Sequence, residues 1–91
     1  MMEAQTFPSV FDALAESPAE AANMKARSDL LLAIQERVRS WELSQELAAK
    51  RLGITRPRLS DVMTGKLAKF SLDALVNISA GAGLTLEIRV A

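Results

Sequence analysis

Ninety-one residues make one small domain, with a modest core that often needs help from oligomerisation. The chain has no Cys, so it carries no disulfide framework and no thiolate metal site, which suits a reducing cytoplasm. No apolar run approaches the ~20 residues of a membrane span, the N-terminus lacks a basic-then-apolar leader, and the formal net charge is zero, so membrane classes are excluded and a cytoplasmic protein is expected.

The N-terminal segment, residues 1–16, opens with a tail expected to fray. Phe7, Val10, Phe11 and Leu14 then recur at i, i+3, i+4 and i+7, one apolar face of a short helix, with Ser9 and Asp12 as a capping pair. So few turns do not stand alone in water. This face packs on its own domain, on a sister subunit or on another protein, which makes these four residues candidates for partner binding.

Ser17-Pro18-Ala19-Glu20 is a strong helix start: a cap, a proline in the first turn and the glutamate of a capping box. The helix is expected to run to about Ser40. Ala22, Ala26, Leu30, Ile34, Val38 and Trp41 form its buried stripe, Leu31 widens it, and Ser28-Asp29 offers an optional break. Trp41 reads as a core plug at the end of this helix, where the chain turns toward Ser44.

Residues 44–65 read as two short helices joined at Gly53, which can take the positive φ that ends a helix. Ser44 caps the first helix, and Ala49 sits where the two cross closely. Leu47, Leu52, Ile54, Leu59 and Val62 supply the apolar faces, and Gly65 closes the second helix. That second helix begins at Thr55 or Arg56 with Pro57 in its first turn, where a missing N–H costs nothing. Six bases (Lys50, Arg51, Arg56, Arg58, Lys66, Lys69) face only Asp61 across residues 50–69, a basic patch on a neutral chain. The acids concentrate elsewhere, with Glu3, Asp12, Glu16 and Glu20 and no base in residues 1–24.

These residues resemble the phage-repressor, or Xre-type, helix-turn-helix proteins. The matching positions are Ser44-Gln45-Glu46, Ala48-Ala49, Leu52-Gly53-Ile54-Thr55, Leu59-Ser60-Asp61-Val62 and Gly65-Lys66. Within that family, Arg56-Pro57-Arg58-Leu59-Ser60-Asp61 together with Phe70-Ser71-Leu72-Asp73 is similar to small antitoxins encoded beside a RelE-like toxin. The resemblance spans residues 9–90. It implies a mainly α, five-helix repressor-like bundle that binds double-stranded DNA, with a toxin as a possible protein partner. Arg56 stands where several relatives have Gln, so no base preference is carried over.

On this reading Arg56, Arg58, Ser60 and Asp61 are the base-edge candidates, since arginine matches the O6 and N7 acceptors of guanine. Ser44, Gln45, Thr55, Thr64, Lys66 and Lys69 are the phosphate candidates, Gln45 because it stands among the free N–H groups of a helix start.

Ser71 starts another helix, with Asp73 near its positive end and Leu72, Leu75, Val76 and Ile78 facing the core. Gly81 and Gly83 end it, which bounds the helical domain at residues 17–83. Residues 84–91 then change period: Leu84, Leu86, Ile88 and Val90 alternate with Thr85, Glu87 and Arg89, the pattern of a strand. A lone strand needs a partner edge. Antiparallel pairing with a second copy, Ile88 on the two-fold axis and Glu87 opposite Arg89, makes a homodimer; pairing with residues 5–7 or a partner's sheet is the competitor. A dimer places two recognition helices about 34 Å apart, over an inverted-repeat operator.

With no His, Cys or Tyr, no phosphate loop and no metal-ligand spacing, neither an enzyme nor a cofactor is expected. Two functions remain: a DNA-binding repressor that autoregulates as an antitoxin, or an interaction module that neutralises a partner without DNA.

Overall fold

The computed structural model describes residues 17–91; the N-terminal segment with Phe7, Val10, Phe11 and Leu14 lies outside the described residues. The first described helix, α1, is Pro18–Trp41, and it starts where the capping signal stands. Ser17 is extended, and its Oγ accepts the Glu20 N–H at 3.1 Å. The optional break at residues 26–28 is not used. Lys25 pairs with Asp29 at 3.1 Å and Arg27 Nε donates to Asn23 Oδ1 at 2.7 Å, both across one turn, and the helix runs through.

Leu31, Ile34, Gln35 and Val38 are the buried positions of α1. Leu30 and Trp41 are partly covered, and Ala22 is exposed, contrary to the expected stripe. The reason is geometric. Positions four apart advance by about 40° more than a full turn, so a long run of them drifts off a single face.

Ser44 caps α2, Gln45–Leu52, accepting the Leu47 N–H at 3.2 Å. The contact expected of Leu47 is made instead by Ala48, Ala49 and Leu52; Leu47 itself is exposed. Gly53 has φ +76° and ends α2 with two bonds, Ile54 N–H to the Ala49 carbonyl at 3.0 Å and Gly53 N–H to that of Lys50 at 3.1 Å. Helix α3, Arg56–Met63, comes next and closes through the same pair of bonds, from Lys66 to Asp61 and from Gly65 to Val62. A 3₁₀ turn at Leu67–Lys69 leads to Phe70, the largest fully buried side chain of the described residues. Helix α4, Leu72–Gly81, is capped by Ser71 and ends with Leu84 N–H on the Ser79 carbonyl.

Helix α1 lies along α4 and touches α3, while α2 packs on α3 and α4. Ile34, Leu59, Val62, Phe70 and Leu75 meet at the centre. Gly81 makes the α2–α4 approach possible: a Cβ there would lie 2.7 Å from the Leu52 carbonyl oxygen.

The expected five-helix bundle with a C-terminal strand is corrected here. The described residues form four α-helices and one 3₁₀ turn, and none of them is a strand. A strand is defined by its ladder to a neighbouring edge, and every other described element is helical, so residues 84–91 have no edge to join. Leu84 packs against the core instead. Leu86, Glu87, Ile88 and Arg89 line a groove of about 540 Å³ over Leu30, Ala33 and Val76, and Val90 is exposed. Glu87 and Arg89, expected to pair across two strands, meet within the chain at 3.4 Å.

One buried polar group ties α1 to α3. Gln35 is buried, and its Nε2 donates to the Val62 carbonyl at 2.7 Å, at the end of α3 where carbonyls lack helical partners. Gln35→Leu removes that donor and leaves the Val62 carbonyl with its bond from the Gly65 N–H, which should cost about 0.5–1.5 kcal/mol of unfolding free energy in urea titrations. Gly81→Ala should cost about 1–3 kcal/mol, because the Leu52 carbonyl at 2.7 Å is backbone and has little room to yield.

Candidate nucleic-acid interface

The free side of α3 is set by how the helix is held. Thr55 is the cap: it is extended, and its Oγ1 accepts the Arg58 N–H at 3.2 Å. Arg56 therefore enters the helix although it precedes Pro57. Leu59 and Val62 face the core, which turns Arg56, Pro57, Ser60 and Thr64 to solvent and leaves Arg58 and Asp61 half-buried. Arg56 and Ser60, four apart, share a side of the helix. Among the described residues the Arg56 guanidinium has no hydrogen-bond or ion-pair partner.

Arg58 differs. Its Nη1 donates to the Lys69 carbonyl at 3.1 Å, and its guanidinium carbon lies 4.2 Å from the centroid of the Phe70 ring. Asp61, one turn further along α3, stands 3.7 Å from Lys66 Nζ and 3.7 Å from Lys69 Nζ. Both lysines are more than half exposed, so each pair contributes at most ~1 kcal/mol, and the ammonium groups remain available to an outside anion. Arg58, Asp61, Lys66 and Lys69 thus form one cluster beside the exposed edge carrying Arg56 and Ser60.

The remaining candidates stand at helix ends. Ser44 Oγ accepts from Leu47, which leaves its hydroxyl hydrogen to donate elsewhere; Thr55 is in the same state. Gln45 is exposed in the first turn of α2. Thr64 has committed its hydroxyl, which donates to the Ser60 carbonyl at 2.8 Å, so contact with a phosphate would require breaking that bond. The proposed dimer residues Leu84, Leu86, Glu87, Ile88, Arg89 and Val90 belong to the groove segment over α1 and α4.

Three supporting residues escaped the sequence reading. Gln35 gives no signal in a sequence, since a glutamine in an amphipathic helix reads as surface. Arg27 Nη1 donates to the carbonyls of Leu67 and Phe70 at 3.3 and 3.2 Å, a long-range contact that spacing does not reveal. Phe70 lies in the quoted family motif, but its ring as a platform for Arg58 is visible only in three dimensions. Trp41 plays a similar part for Arg51, whose guanidinium carbon lies 4.3 Å from its ring centroid.

Among the described residues no group of three or more His, Cys, Asp or Glu could hold a metal ion, and no helix is long and apolar enough to cross a membrane. No curated protein matches the chain. A family model described as a helix-turn-helix domain matches residues 13–91, a span that takes in α2, the Gly53 turn, α3 and the lysine-bearing turn after it. Two short helices with a buried Ala49 in the first, a left-handed glycine between them and an arginine-led second helix lie within that span, and the chain belongs to the helix-turn-helix domain family of DNA-binding regulators.

Proposed function

We propose that this protein is a sequence-specific repressor that reads DNA with α3. The observation that carries the reading is the asymmetry around that helix: Arg56, unpartnered among the described residues, and Ser60 are exposed on one side, with the exposed ammonium groups of Lys66 and Lys69 beside Asp61. Arg56 would donate to guanine O6 and N7, and Ser60 to a base or a phosphate. Asp61 would orient the lysines beside it. Gln45, Ser44, Thr55 and the free N–H groups at the start of α2 would hold the backbone of the duplex. Thr64 is the weakest of the phosphate candidates, for the reason given by its own hydrogen bond.

A helix of eight residues covers only part of one major groove. The reading is therefore of a homodimer of Xre type, spanning two half-sites about 34 Å apart in an inverted repeat. Repression results from occupying a promoter. The similarity of residues 56–61 and 70–73 to small antitoxins extends the reading to capture of a RelE-like toxin, with Phe7, Val10, Phe11 and Leu14 as the contacting face.

The test is a gel-shift titration against the protein's own upstream DNA and an unrelated duplex. Affinity for the upstream duplex should exceed that for the unrelated one and fall by on the order of 10³ or more between ~50 and ~200 mM salt. Arg56→Ala should weaken the preferred duplex by about 10–100-fold while hardly changing the unrelated one. Equal, weak binding to both duplexes would sink the reading and leave an interaction module that acts without DNA. For the antitoxin extension, Phe7→Ala with Phe11→Ala should abolish co-purification with the toxin and leave the gel shift unchanged. Unchanged co-purification would move the contact elsewhere.

A further inference from the structure

The two arginines that flank Pro57 carry equal charge two residues apart, yet their surroundings differ. Arg58 spends its planar face on the Phe70 ring at 4.2 Å and one N–H on the Lys69 carbonyl at 3.1 Å. Arg27 of α1 donates to the Leu67 and Phe70 carbonyls of the same turn at 3.3 and 3.2 Å. Residues 67–70 are therefore held both by an arginine of α1 and by an arginine of α3. The amides of the same turn are closed internally, Lys69 N–H on the Lys66 carbonyl and Phe70 N–H on that of Leu67, each at 3.0 Å.

That turn carries Lys69, comes directly after Lys66, and sets both ammonium groups at equal distance from Asp61. For Arg58 to turn its whole fork to a base edge it would have to give up the ring and the Lys69 carbonyl, a loss Arg56 does not face. Guanidinium is the group suited to this task, because its fork is flat enough to stack while still donating in the plane; an ammonium is a point charge.

We propose that Arg58 is a positioning residue, the clamp that fixes the lysine-bearing turn against the recognition helix, and that Arg56 alone of the pair reads sequence. The proposal rests on the DNA-binding reading for its functional half and on the geometry of the turn for its structural half. The two halves can fail separately.

The experiment uses the full chain and its Arg58→Ala, Arg58→Lys and Arg56→Ala variants. Each is titrated against a duplex selected by the wild-type protein from a random pool, and against an unselected duplex of equal length, over a range of salt. Amide hydrogen exchange is monitored in parallel on the free proteins. Arg58→Ala should lose about tenfold on both duplexes, keep the ratio between them within about twofold, and flatten the logarithmic salt slope by about one to two, as the two lysines lose their common placement. The Lys69 and Phe70 amides should exchange at least about tenfold faster while Leu75, in α4, keeps its rate. Arg58→Lys should behave like Arg58→Ala, because charge alone does not restore the clamp. Arg56→Ala should collapse the ratio and leave both the salt slope and the exchange rates unchanged.

A collapse of the ratio in Arg58→Ala with unaltered exchange at Lys69 and Phe70 would overturn the assignment and make Arg58 a reader. Full rescue by Arg58→Lys would overturn it as well, reducing Arg58 to a phosphate charge. If the wild-type protein selects no sequence, the DNA-reading function fails. The exchange rates then decide the clamp by themselves, and unchanged rates in both Arg58 variants would end it.

Discussion

The fold depends on how the backbone carbonyls at helix ends find donors. The carbonyls at the end of a short helix have acceptor capacity that its own turns leave open; backbone closure fills part of it, and at Val62 and Leu67 a side chain adds a second donor. Helix α1 answers this with three side chains. Gln35 reaches the Val62 carbonyl at the end of α3, Arg27 reaches those of Leu67 and Phe70, and Arg37 reaches that of Ala82 at the end of α4. With about 36 Å of length, α1 is long enough to reach all three places, and it does so from different sides of the helix, since Gln35 and Arg37 are two residues apart. The spine of the domain is thus polar as well as apolar, and its polar contacts determine where α3 and the turn after it come to rest.

Local chemistry does the complementary work at the other ends. Ser17, Ser44, Thr55 and Ser71 each cap a helix by accepting an N–H from the third residue on. At the C-termini of α2, α3 and α4 the same two-bond closure recurs, with a glycine in the left-handed region each time. Repetition of one start and one stop makes the helices short and their lengths definite. Definite length matters at α3, because the residue after its cap is Arg56, and the cap decides that this arginine leads the helix.

Most of this is legible in the amino-acid sequence. Capping residues and glycines act within a few positions, so Ser17, Ser44, Thr55, Ser71, Gly53 and Gly65 announce their roles in the chain itself. The pairing of Leu59 with Val62 on the core face comes from helical spacing in the same way. The illegible part depends on contacts far apart in sequence. The contacts of Arg58 with the Phe70 ring and the Lys69 carbonyl cannot be read from spacing, and Gln35 reads as surface until α3 arrives. The C-terminal alternation misleads most clearly. A two-residue period reports only that successive side chains could face opposite sides, whereas a strand also needs a neighbouring edge. Without one among the described residues, Leu84 joins the core and Leu86 and Ile88 line a groove.

The balance of charge explains why a chain of zero net charge is no obstacle to the proposed DNA reading. Coulomb forces in salt act over about a Debye length, ~8–10 Å, so a duplex senses the charges of the local cluster rather than the formal total of the chain. Within the cluster, Asp61 lowers the attraction of Lys66 and Lys69 for any phosphate while holding both at one distance. Such an arrangement trades raw affinity for placement. Non-specific binding rests on charge alone, whereas specific binding needs the backbone contacts in register with the base contacts. On the proposed reading, a lysine pair beside Asp61, on a turn contacted by Arg58 and Arg27, would give up some of the first and keep the second, which is the balance a reader of one sequence requires.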